Sequence, residues 1–137
     1  MSTIRTASSA DIEAVLGFWE HATTEPSSTD DVGSLDLLLA TSPEALLLAL
    51  DEDVIIGTVI VGWDGWRGAM YRLAVARSHR RRGVATALVD EGERRLHAHG
   101  AKRLHLIVAD HEIPARDFWT SAGYEPTAQL RFVKILD

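Results

Sequence analysis

The sequence predicts an α+β fold, α/β-like in part: a mixed, mostly antiparallel central sheet with helices on both faces and one splayed parallel strand pair. Three observations carry this. Residues 45–50, 54–63 and 69–76 read as strands joined by the turns 51–53 and 64–68, an antiparallel meander. Residues 83–98 have helical periodicity and lead into an apolar strand at 103–108, which makes a right-handed βαβ unit with its two strands parallel. At 137 residues, with 46% hydrophobic and 25% charged residues, the chain can bury one ordinary core. We read 1–137 as a single domain without internal repeat or linker.

Each element has a local cause. Residues 3–6 form a short opening strand. Ser8 with Asp11 makes a capping box, and Ile12, Val15, Leu16 and Trp19 recur at helical spacing to about His21. The Ser, Thr, Asp and Pro of residues 23–33 make an exposed loop. A second short helix over 34–40 ends at Thr41-Ser42-Pro43. Gly57 marks a candidate bulge in its strand. Leu88, Gly92 and Leu96 share one face of the long helix, which Gly100 closes. Pro114 opens a last helix to about Ala122, Gly123 ends it, and residues 130–136 are expected to close the sheet as a final strand.

Charge and composition exclude several functions. A net charge of −6 argues against a general nucleic-acid binder. With no cysteine, there is neither a disulfide framework nor a cysteine zinc site, and His111-Glu112 lacks the second histidine of a zinc-protease helix. The expected metal content is none. The amino terminus lacks a signal-peptide pattern, and the longest apolar run, 45–50, is too short for a bilayer. A cytoplasmic protein without membrane partners is expected. Yet Arg72, Arg77, Arg80, Arg81 and Arg82 fall within eleven positions. Such a basic island on an acidic chain suits a small polyanion, with a solvated charge run as the plain alternative. The helix behind it starts Gly83-Val84-Ala85, small residues that leave its free N–H groups approachable by phosphate.

Arg80-Arg81-Arg82-Gly83-Val84-Ala85 resembles the Arg/Gln-x-x-Gly-x-Gly/Ala motif of the GNAT superfamily of acetyl-CoA-dependent N-acetyltransferases. Residues 115–125 resemble that family's Ala-x-x-hydrophobic-Tyr-x-x-x-Gly-Phe block, and the resemblance runs over about residues 3–136. Residues 57–68 further resemble bacterial members of the YpeA type, which carry a Gly-aromatic-Asp-Gly-x-Arg-Gly turn. The resemblance implies the GNAT fold, with acetyl-CoA as cosubstrate and a small-molecule or peptide amine as acceptor. It implies that the backbone of Leu73, Ala74 and Val75 pairs with the pantetheine arm as an added strand would. The backbone from Arg81 through Gly83, Val84 and Ala85 to Thr86 would cradle the pyrophosphate, with Arg80 and Arg82 adding charge. Each charge-assisted hydrogen bond there contributes about 1.5–3 kcal/mol. Trp119 stands where the family's acid tyrosine falls. Indole donates a hydrogen bond but no proton near neutral pH, so a tyrosine acid at this position is excluded. Position 112, often asparagine in the family, is Glu112.

Transfer to an amine needs the neutral base form, and deprotonating a lysine-like amine at pH 7 costs about 4–5 kcal/mol. Asp110, His111 and Glu112 follow a parallel strand at its carboxyl end and are candidate bases, against the plain reading of a capping acidic loop. Glu20 and His21 are further candidates, against a solvated helix end. His97 and His99 read as favourable charges at a helix carboxyl end. Tyr124 reads as core. Trp63 and Trp66 read as packing, or as an exposed pair bordering the acceptor site or a homodimer contact, with Asp64 and Arg67 pairing across the turn. Glu25, Asp30 and Asp31 would favour a cationic acceptor if their loop lines the site. Three functions remain: an N-acetyltransferase, a non-catalytic acyl-CoA-binding module, and a phosphate- or nucleic-acid-binding domain using the arginine run alone.

Overall fold

A computed structural model describes residues 2–22, 26–109 and 111–136. Two compact units divide the chain, Met1–Leu106 and Ile107–Asp137. The first holds a five-stranded sheet in sequential order: β1 (Ser2–Thr6), β2 (Leu46–Asp51), β3 (Val54–Trp63), β4 (Gly68–Val75) and β5 (Leu104–His105). The first four strands pair antiparallel, and β4 pairs β5 in parallel.

The two turns of the meander have different local causes, backbone conformation in the first and a side-chain cap in the second. Glu52 and Asp53 take left-handed backbone angles (φ 47° and 71°), which a tight two-residue hairpin requires of both central residues. In the second turn Asp64 does not pair with the Arg67 guanidinium. Its Oδ1 accepts the backbone N–H groups of Trp66 (2.8 Å) and Arg67 (2.7 Å), which holds its carboxyl below the usual range. Arg67 instead lies over the Trp66 indole, 3.9 Å from its centroid.

Helix α1 (Ile12–Ala22) follows a short 3-10 turn at Ser9–Asp11. Asp11 anchors this entry, accepting from the Ser8 N–H at 2.8 Å and from Arg5. Helix α2 (Val32–Thr41) starts on Asp31, whose Oδ1 caps the Ser34 N–H at 2.7 Å. Ile12, Val15, Trp19 and Leu35 from these helices bury against Leu46, Leu48 and Leu50 of β2. Alternation sends Leu47 and Ala49 to the other face of the sheet, and they too are buried. That face carries α3 (Val84–His99). Its approach is close enough that a Cβ at Gly57 would stand 2.9 Å from both Leu88 Cδ1 and Val84 Cγ1, and one at Gly92 only 2.6 Å from Met70 Cε. The register shift in β3 falls beside Gly57, between its pairing with Ala49 and that of Ile55 with Leu50. Arg95 then braces the helix, donating to Thr6 Oγ1 (3.1 Å), the Glu44 carbonyl (3.2 Å) and Glu91 (2.8 Å).

The parallel pair is shorter than the 103–108 strand expected. Its ladder covers only Gly68 with Leu104 and Ala69 with His105, so most of β4 runs on without β5 beside it. The second unit contains α4 (Ile113–Ser121), with Pro114 in its first turn, where a missing N–H costs nothing. Trp119 is buried, edge-on to Phe118 and to Tyr124, whose N–H donates to the Trp119 carbonyl at 3.0 Å. Residues 130–136 form no ladder, contrary to expectation, and Phe132 and Leu136 are exposed. Their apolar, β-favouring residues suit an extended chain but name no partner edge, which a strand also needs.

Candidate functional site

The end of β4, the basic loop and the start of α3 make one continuous feature. After Val75 the chain turns through a single 3-10 turn, Arg77–His79. Arg80 folds back, its Nε donating to the Val75 carbonyl at 3.4 Å. His79 Nε2 lies 3.0 Å from Asp51 Oδ2, tying the loop to the β2–β3 hairpin. This contact holds the Asp51 carboxyl below its ordinary value. Two left-handed residues then redirect the backbone, Arg81 at φ 63° and Gly83 at φ 82°. Gly83 is the N-cap, and its carbonyl accepts from the Ala87 N–H at 3.0 Å. Arg80, Arg81, Arg82, Gly83 and Thr86 are exposed, while Val84 beneath them is buried. A Cβ placed on Gly83 meets nothing within 4 Å, so the space before the helix is open to a ligand. The N–H groups of a first helical turn have no partner within the helix, and the dipole there favours an anion.

Arg72 leaves the basic island. Its guanidinium grips Asp30 of the 26–31 loop, through Nε to Oδ1 at 3.0 Å and through Nη2 to Oδ2, over the ring of Trp19. Asp30 is thus a partner of β4, rather than a carboxylate spent on a cationic acceptor. Arg72 itself is left-handed, at φ 53°. It sits where Thr58 pairs with Ala74 and Ile60 with Tyr71, so Arg72 and Leu73 together face Val59 alone, as in a bulge. The Arg72 carbonyl accepts from the Thr58 hydroxyl at 2.9 Å, and that hydroxyl accepts from Trp19 Nε1 at 2.8 Å. Thr58 is wholly buried, the one polar residue so classed among the described residues.

The structure places the predicted site residues in both units. Leu73, Ala74, Val75 and the 80–86 loop belong to the first, with Ala74 buried and Leu73 and Val75 half-buried. His111, Glu112 and Trp119 belong to the second, and Asp110 lies outside the described residues, as does Glu25. Glu112 is the N-cap of α4, and its carboxylate is 3.9 Å from His111 Nε2. His21 is exposed, with Nδ1 3.0 Å from the Gly17 carbonyl. His99 stacks on Trp63 at 5.6 Å, while Trp66 is exposed. Sequence reasoning missed the roles of Thr58, Trp19 and Asp30. A signal existed for Thr58, a hydroxyl set in the otherwise apolar run 54–61.

Residues 12–124 match the family described as the acetyltransferase (GNAT) family. An acetyltransferase of Yersinia enterocolitica is 32% identical over 122 residues, covering 89% of this chain and 86% of that protein. One from Pectobacterium atrosepticum is 32% identical over 115 residues, covering 84% and 82%. Among solved structures, Ard1 from Thermoplasma volcanium superposes with a TM-score of 0.83 at 23% identity, over 93% of this chain and 84% of that one. The aminoglycoside N-acetyltransferase AAC(6')-Iy, in complex with a bisubstrate analogue, gives 0.75 at 18% over 100% and 99%. A predicted acetyltransferase with acetyl-CoA from Clostridium acetobutylicum gives 0.76 at 14% over 98% and 96%.

Proposed function

The chain belongs to the GNAT acetyltransferase family, and from that premise we propose that it moves the acetyl group of acetyl-CoA to a primary amine of a small molecule or peptide, by direct attack in a ternary complex. Acetyl-CoA is the cosubstrate, as for family members solved with CoA or acetyl-CoA. The observation that carries the reading is the exposed start of α3, where Gly83 caps the helix behind Arg80, Arg81 and Arg82. A pyrophosphate there meets backbone N–H groups from Arg81 to Thr86 and loses no space to a Cβ. The strand residues Leu73, Ala74 and Val75 lie beyond the two-residue β5 ladder and pair with the pantetheine arm. We take residues 1–137 to act as one acetyltransferase domain, because the family match runs across both units.

In the reaction the neutral amine attacks the thioester carbonyl. The C–N bond forms, the C–S bond breaks, and CoA leaves as thiolate. Strand N–H groups at 72–75 polarise the carbonyl. The amine's proton passes to a base drawn from Asp110, His111 and Glu112. Trp119 provides a hydrogen-bond donor and no proton, so solvent protonates the thiolate, a light demand at a thiol pKa of about 8.5. The Gly62 to Gly68 turn supports placing the chain with the YpeA type, and acetyl-CoA chemistry of this kind suits the cytoplasm.

Thiol release from acetyl-CoA, measured across amines, peptides, polyamines and an aminoglycoside, tests the reading. We expect at least one acceptor to raise release well above hydrolysis. The second reading, a non-catalytic acyl-CoA-binding module, draws on Trp119 in the tyrosine's place. Tight binding with release at the hydrolysis background for every acceptor would establish it instead.

A further inference from the structure

We propose that Thr58, Arg72 and Asp30 are positioning residues for acetyl transfer, holding the β4 bulge so that the strand's N–H groups stay aimed at the thioester carbonyl. The inference rests on the acetyl-CoA reading above and deepens it.

Four elements meet at this bulge. From α1, Trp19 Nε1 donates to the Thr58 hydroxyl of β3 at 2.8 Å. That hydroxyl donates onward to the Arg72 carbonyl of β4 at 2.9 Å. The Arg72 side chain then reaches Asp30, at 3.0 Å through Nε, in the loop between α1 and α2. Asp30 also closes its own turn, its Oδ2 accepting the Ser27 N–H at 2.9 Å while its N–H donates to the Ser27 carbonyl at 3.1 Å. Loop, first helix and two strands are thereby fixed to a single peptide, the one joining Arg72 to Leu73.

That peptide is where the backbone is strained and the ladder is out of step. Arg72 occupies a left-handed conformation that an L side chain rarely adopts, and two residues of β4 face one of β3. The surrounding core is aliphatic, with Leu46, Leu48 and Ala74 in the same cluster. Structure alone would be served by apolar residues in a regular ladder. A buried hydroxyl, an indole N–H and a half-buried ion pair are instead concentrated where β4 turns into the segment that meets the acyl arm. Local strain held by surrounding contacts is a recurrent feature of sites that must present the backbone at a fixed angle.

Isotope-edited infrared spectroscopy of acetyl-CoA labelled with carbon-13 at the carbonyl, bound to the full chain, reads the polarisation without any acceptor. In the native protein the carbonyl band moves to lower frequency on binding. Thr58→Val and Asp30→Asn return it toward the free position while acetyl-CoA still binds, since the pyrophosphate site is untouched. Thr58→Ser keeps the hydroxyl and keeps the shift. If Thr58→Val does not fold, Asp30→Asn, in a surface loop, decides alone. Folded variants whose bound band matches the native one would overturn the proposal. So would a native band at the free position with acetyl-CoA bound, which leaves the cofactor reading standing. Failure of the native chain to bind acetyl-CoA at all would overturn that reading instead.

Discussion

Thr58 shows how one atom carries a local arrangement. Its hydroxyl is fully buried, accepts from Trp19 and donates to Arg72, so its loss removes two hydrogen bonds at once. A hydrogen bond of this kind contributes about 0.5–1.5 kcal/mol net. We therefore expect Thr58→Val, nearly the same in shape, to lower unfolding stability in urea by about 1–3 kcal/mol from the two lost bonds, and Thr58→Ser by about 1 kcal/mol from a deleted methyl. Gly57 makes a different point. A methyl there would press on Leu88 and Val84, both buried, and overpacking of this kind costs about 1–3 kcal/mol. Gly57→Ala should lower the urea midpoint without changing the slope of the transition. At the second unit, Glu112→Gln should cut turnover by about 10²–10⁴-fold, with acetyl-CoA affinity unchanged, if Glu112 is the base.

Among the elements, α3 couples charge to fold. Glu91 is held at about 2, below its ordinary 4.5, by hydrogen bonds from Arg94 first and Arg95 second. A carboxylate whose folded value is depressed stabilises the fold fully above its unfolded value and loses that contribution as pH falls through the folded one. Stability from this group should thus decline between about pH 4.5 and 2. Helicity followed by circular dichroism should fall more steeply across that window in the native chain than in Glu91→Gln. The strands and helices were mostly legible because each rests on local pattern. Ile12, Val15 and Trp19 did turn inward, and Gly100 did close α3, whereas Gly83, read as the first residue of the helix, is its left-handed N-cap. What failed was pairing at long range. The strand at 103–108 shrank to Leu104 and His105, and residues 130–136 found no ladder. Period-two alternation records which side faces a core, and says nothing of where a neighbouring edge ends. The Asp30–Arg72 pair, 42 residues apart in sequence, was hidden for the same reason.

Over the whole molecule, the part of the candidate site most legible in sequence is the proposed cofactor end. A helix start, a glycine and three arginines are consecutive in sequence, so local reasoning reaches them. The acceptor-side candidates, Glu20 and His21 in one stretch and His111 and Glu112 in another, carry no comparable local motif. Among the described residues, no helix is long and apolar enough to cross a membrane. The acetyltransferase family supplies the reaction class, and bacterial relatives at 32% identity span most of the chain. The central claim is that the start of α3 holds the pyrophosphate of acetyl-CoA. Titration calorimetry with acetyl-CoA, run on the native chain and on Gly83→Glu, tests it most directly. The account predicts micromolar binding by the native chain and none by the variant, whose side chain would put a Cβ and a negative charge where the phosphates sit. Equal affinity in a folded Gly83→Glu variant, or no binding by the native chain, would contradict it.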